Sequence, residues 1–96
     1  MPTFVLELTF DKDNERRLAI RPAHRNFLTK LYDQGVLLMA GPLADDRGAI
    51  QIFRADSREA LEELLAQDPN YVEDVVSRVS LREWSPILPP PANEAT

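Results

Sequence analysis

Residues Thr3 to Phe10 alternate, with Phe4, Leu6, Leu8 and Phe10 on one side and Val5, Glu7 and Thr9 on the other. A period of two predicts a half-buried strand. The period then changes. After the polar break Asp11-Lys12-Asp13-Asn14, which offers helix-capping side chains, apolar residues recur at Ile20, Ala23, Phe27, Leu28 and Leu31. That stripe predicts a helix from about Asn14 to Gln34, ended by Gly35 as a left-handed residue. Pro22 interrupts it, because a proline beyond the first turn removes a hydrogen bond and crowds the preceding turn. The helix therefore starts near Arg21, or two pieces meet at Pro22 in a bend.

Val36 to Gly41 is apolar on both faces and predicts a central strand covered on both sides. Asp45-Asp46-Arg47-Gly48 is a turn signal. Ala49 to Arg54 returns as a strand, with Ile50 and Ile52 on one face and Phe53 on the other. Asp56-Ser57 opens a second helix, Asp56 with Glu59 resembling a capping box. Its stripe is Ala60, Leu61, Leu64 and Leu65. Pro69 stops it, since the residue before a proline is pushed out of helical geometry. Tyr71 to Asp74 offers one further turn, and Val75 to Trp84 is the last strand.

The order β-α-β-β-α-β predicts a ferredoxin-like α+β fold: an antiparallel four-stranded sheet with two helices on one face. We take residues 1–86 as the domain and 87–96 as a proline-rich, flexible C-terminal tail, since prolines cannot pair in a sheet. One face of the sheet is left without a cover, and Val5, Leu37, Met39 and Phe53 are its candidates. A homodimer packed through this open face would cover it. A monomer with a wet face is the alternative, because Glu7, Thr9 and Gln51 are assigned to that side too.

Composition narrows the function. The formal net charge of −5 argues against a nucleic-acid partner, which needs clustered positive charge. No apolar run approaches a membrane span, and the N-terminus lacks the basic and apolar regions of a signal peptide. With no cysteine in the chain, the expected location is cytoplasmic. A single histidine and no cysteine give no basis for a zinc site. Neither a glycine-rich nucleotide loop nor a nucleophile elbow is present, so no cofactor is expected.

That histidine, His24, lies four residues from both Ile20 and Leu28 and so falls on the core-facing stripe. It reads either as a half-buried structural histidine or as a group that moves protons near neutral pH. Arg21 and Arg25 flank it and suit a substrate carboxylate through their guanidinium forks; solvated or acid-paired arginines are the plainer reading. Gly41-Pro42 ends a strand, where glycine lets a ligand approach the backbone, or simply marks a kink. Ser80 alternates with Val79 and Leu81 and is a candidate pocket residue or an ordinary strand residue. Asp68 closes the second helix, from which a carboxylate can reach a neighbouring helix on the same face. Asp-Pro is also a common helix stop whose carboxylate bonds its own backbone.

The ordered set Arg21-Pro22-Ala23-His24-Arg25, Leu28, Leu31, Gly35, Ala40-Gly41-Pro42-Leu43, Asp68-Pro69 and Trp84 resembles the YciI-like (YCII-related) family over about residues 3 to 86. The resemblance implies the dimeric α/β-barrel architecture shared with muconolactone isomerase-like proteins. It also implies an active site of one histidine and one aspartate, here His24 and Asp68. Where the family's Asp-Pro is often followed by phenylalanine, this chain has Asn70. A few members resemble dehydrohalogenases or isomerases. The expected function is cofactor-free proton transfer on a small carboxylic acid, of lyase, isomerase or dehydrohalogenase type. A small-ligand-binding or regulatory module using the same pocket without turnover is the alternative.

Overall fold

The chain runs β1 (Thr3–Thr9), α1 (Glu15–Asp33), β2 (Leu37–Pro42), β3 (Gly48–Arg54), α2 (Arg58–Leu65), α3 (Pro69–Val72) and β4 (Ser77–Trp84). This is a computed structural model, and it describes residues 1–88. Residues 89–96, most of the expected tail, lie outside the described residues. The strands form one sheet in the order β2-β3-β1-β4, every neighbouring pair antiparallel.

Alternation in β1 works as its sequence predicts. Phe4, Leu6 and Leu8 are buried and join Phe53 of β3 and Leu81 of β4 in one core with Leu31 of α1 and Leu61 and Leu65 of α2. Each such side chain contributes about 1.5–3 kcal/mol when taken from water. The helices thus cover one face of the sheet. Val5 pairs with Ile52 and Arg82 on the other face, where Met39 and Trp84 are exposed.

β2 is an edge strand rather than a central one. Its two-sided apolar pattern arises because its outer face belongs to the uncovered side: Met39 is 65% exposed. The open-face assignments of Leu37, Phe53 and Gln51 are also corrected. Phe53 pairs with Phe4 and Gln51 with Leu6, which puts both on the helix side. Leu37 pairs with Phe53, while Met39 pairs with Ile52. The extra residue, Leu38, is a β-bulge that sends Leu37 and Met39 to opposite faces.

α1 passes through Pro22 as one helix, so neither a late start nor two separate pieces is found. Asn14 caps it by accepting from the Arg17 amide. Its end is a Schellman motif. Gly35 has φ +78°, its N–H bonds the Tyr32 carbonyl, and the Val36 N–H bonds that of Leu31. Ser57, not Asp56, caps α2, accepting from the Ala60 amide at 3.1 Å. α2 stops at Leu65, ahead of Asp68-Pro69, so that proline does not end α2; it opens α3, at whose first turn its missing N–H costs nothing.

Candidate functional site

α3 exists because Asp68 and Pro69 build its start. Asp68 is the N-cap, with extended backbone at φ −65°, ψ 128°, and its Oδ1 accepts from the Asn70 amide at 2.9 Å. The same oxygen accepts from Nδ1 of His24 at 2.7 Å. α1 brings His24 there from 44 residues earlier in the chain. Asp68 is 2% exposed and the His24 side chain 12%. A buried carboxylate held by two donors is well satisfied. An N–H donated from Nδ1 leaves Nε2 as the nitrogen able to take a proton.

His24 also lines a cavity of about 380 Å³ between α1, the β2 end and the sheet, a size suited to a small ligand. Arg21, Arg25, Gly41 and Pro42 line it as well. Asp68 stands behind His24 rather than in the wall. Ser80 does not join this group. It pairs with Glu7, and so lies on the face away from the helices, as alternation from its core-facing neighbour Leu81 requires. Tyr32 is 61% exposed, and neither it nor Tyr71 lines the cavity.

Three buried polar residues of the lining escape the sequence reading. Arg17 is 5% exposed; it donates to the Asp11 and Lys12 carbonyls and its guanidinium sits 3.9 Å above the Phe10 ring. The signal was there, since Arg17, Arg21 and Arg25 repeat every four residues along α1. Gln51 and Asn70 are 2% and 6% exposed. Gln51 is the lone polar residue in Ile50-Gln51-Ile52-Phe53, a signal that alternation alone assigned to the wrong face.

The cavity is electropositive: three arginines line it against one acid, Asp46. Among the described residues, the ion pairs found are Arg16–Glu73, His24–Asp68, Arg58–Glu62 and Arg78–Glu62, and none neutralises Arg17, Arg21 or Arg25. In a chain of net charge −5 this local excess favours an anion. The described residues hold no group of three or more His, Asp or Glu placed to bind a metal. No helix among them is long and apolar enough to cross a membrane.

Similar folds occur among solved structures. The 5-chloro-2-hydroxyhydroquinone dehydrochlorinase TftG of Burkholderia phenoliruptrix, solved in complex with 2,5-dihydroxybenzoquinone, matches with a TM-score of 0.72 at 18% identity. That match covers 85% of this chain and 92% of TftG. Rv0793 of Mycobacterium tuberculosis matches with a TM-score of 0.54 at 19% identity, over 90% of this chain and 95% of that one. The architecture these chains share is ferredoxin-like, an antiparallel four-stranded sheet with helices on one face.

In sequence, the chain is 32% identical to the protein YciI of Escherichia coli over 77% of this chain and 86% of YciI. It is 31% identical to the uncharacterized protein YjpA of Bacillus subtilis over 83% of this chain and 89% of YjpA. The YCII-related domain matches residues 3–85, nearly all of the folded part, and the chain therefore belongs to the YCII-related domain family.

Proposed function

We propose that the protein catalyses cofactor-free proton transfer on a small carboxylic acid, with His24 as the base. The observation that carries this reading is the 2.7 Å contact between His24 Nδ1 and Asp68 Oδ1 beside a ligand-sized cavity. Asp68 is a positioning residue: it fixes the tautomer and balances the imidazolium that forms when Nε2 accepts a proton. Arg21 and Arg25 bind the substrate carboxylate, with Gly41 and Pro42 as the opposite wall.

The chemistry balances without an added reagent. Nε2 takes a proton from carbon next to the carboxylate or a conjugated carbonyl, and the C–H electron pair moves into a new double bond. Either the proton is returned at another carbon, an isomerisation, or a neighbouring carbon–halogen bond breaks and halide leaves. The dehydrochlorinase with this fold supports the second form. The uncovered sheet face supports a homodimer, and we place the protein in the cytoplasm.

The test is deuterium exchange at carbon in a panel of small carboxylic acids in D2O, followed by proton NMR. The wild type should exchange at least one acid, and His24→Ala should abolish exchange while keeping its circular dichroism spectrum. Exchange that survives His24→Ala overturns the mechanism. Binding without any exchange turns the reading to a ligand-binding or regulatory module.

A further inference from the structure

We infer that Arg17 holds a second anionic group of the ligand, so that the preferred substrate is a diacid rather than a simple acid. The inference rests on the carboxylate reading of Arg21 and Arg25 and adds a charge that those two residues do not serve.

Arg17 lines the same cavity as His24 but is held differently from the other two arginines. It is 5% exposed, whereas Arg21 is half-buried and Arg25 exposed. Its Nε donates to the Asp11 carbonyl at 3.3 Å and its Nη2 to the Lys12 carbonyl at 3.2 Å. Its guanidinium carbon sits 3.9 Å from the centre of the Phe10 ring. Its third nitrogen, Nη1, makes no hydrogen bond among the described residues. The side-chain atoms closed to solvent without a partner are Gln51 Oε1, Asn70 Oδ1 and Tyr71 Oη. Nη1 is not among them, so it stays reachable, on a residue that borders the cavity.

The charge of this group is unanswered within the protein. An arginine guanidinium is always charged in practice, and a buried cation is costly unless an anion pairs with it. Carbonyl oxygens and an aromatic face soften that cost but carry no net charge. No ion pair among the described residues reaches Arg17, nor Asp46, the acid of the cavity wall. An anionic group on the ligand supplies the charge, and the two N–H groups of Nη1 are free to receive it.

That this anion is a second one follows from position. Arg17 and Arg25 are two turns apart, about 12 Å along α1 at the usual helical rise. The Arg17 guanidinium is pinned over Phe10 and against the loop that precedes α1, so it does not swing toward Arg25. That separation is farther than one carboxylate bridges, whereas a short chain with an acid at each end spans it. A purely structural Arg17 would only hold the Asp11–Lys12 loop, and its loss would weaken every ligand alike. A recognition role instead sets the preference between ligands of different charge.

The experiment is isothermal titration calorimetry with diacids and their monoamides, which match in shape and differ by one charge: succinate against succinamate, glutarate against glutaramate, adipate against adipamate. In the wild type at least one diacid should bind roughly tenfold tighter than its monoamide. Arg17→Met, which keeps an apolar stem beside Phe10, should bring that ratio to within about twofold of one while moving the monoamide's Kd by less than about threefold. Arg17→Lys keeps the charge but not the fork, and should retain only part of the preference. Arg25→Met should weaken both members of a pair alike. Equal affinity within all three wild-type pairs overturns the inference, as does the absence of binding by all six compounds. A ratio that survives Arg17→Met overturns it too. Should Arg17→Met fail to fold, the ratio in Arg17→Lys decides: unchanged from wild type, it overturns the inference. Diacid preference without proton exchange keeps this inference and removes the catalytic reading; exchange without diacid preference does the reverse.

Discussion

His24 and Asp68 meet at 2.7 Å through an oxygen that also caps α3 by accepting from the Asn70 amide. One atom thus orients the imidazole and starts the helix that carries Asp68. Arg16 of α1 and Glu73, the C-cap of α3, form an ion pair that ties the same two helices a second time. The site's geometry and the local fold are consequently not independent.

Asp68→Ala should cost about 1–2 kcal/mol of stability, because it removes a cap and leaves a partly buried ring nitrogen unpaired. Asp68→Asn, which keeps an amide oxygen for the cap, should cost less. Urea titration distinguishes the two. Nitrogen-15 NMR of His24 should show Nδ1 protonated in the wild type and no such preference in Asp68→Ala.

Glu62 of α2 receives a two-pronged guanidinium from Arg78 of β4, at 2.6 and 2.9 Å. These hydrogen bonds hold its carboxyl below the ordinary value of 4.5. A lowered folded pKa means the pair stabilises above the unfolded value and is lost as pH falls through the folded one. Both side chains are about a third exposed, so the effect is small. Glu62→Gln should lose roughly 0.5 kcal/mol at pH 7. Denaturant melts across pH should show the difference from wild type disappearing well below 4.5.

Gly48 pairs with Thr9, and a Cβ there would collide with the Leu8 carbonyl oxygen and touch Leu43 Cδ1 at 3.0 Å. The obstacle is backbone, which cannot rotate away. Gly48→Ala should destabilise by about 1–3 kcal/mol, read by thermal melting. It should also weaken binding of any cavity ligand, since Leu8 and Ala49 belong to the cavity wall.

Val5, Ile52, Met39 and Trp84 share the face without helices. If a second copy covers it, sedimentation equilibrium at micromolar concentration should return twice the 10.9 kDa chain mass. Such an interface should bury at least about 1,000 Å². Ile52→Arg should then give a folded monomer. A wild type that sediments as a monomer rejects the assembly.

The element order was legible because strand and helix periods differ so plainly between Thr3–Phe10 and Ile20–Leu31. So were Asn14 and Gly35 as helix ends, since both act through local backbone geometry. Facing was less so. A bulge at Leu38 reverses the sides of Leu37 and Met39, and a period of two carries no mark of it. Alternation places Gln51 with Phe53, but only pairing with Phe4 and Leu6 of β1 fixes that side as the inward one, and a single strand's sequence does not carry that pairing. Ser80 needs no slip to leave the cavity: next to core-facing Leu81, it takes the open face by plain alternation. The neighbourhood of His24, Arg21 and Arg25 was readable from helical spacing. The contact with Asp68 was suggested by family resemblance, since no local rule brings residues 24 and 68 together.

Each rim of the sheet is interrupted. β2 carries the Leu38 bulge and ends at Pro42, which has no N–H to offer. β4 carries the Val79 bulge beside Arg78, with Arg82 and Glu83 farther along. Uninterrupted rims act as templates for further strands, and bulges, charges and proline spoil the template. The chain is thereby guarded against open-ended growth into fibrils, although its apolar content of 44% is ordinary. At high concentration it should stay clear of thioflavin-positive deposits, with the broad face of the sheet as its route to self-association.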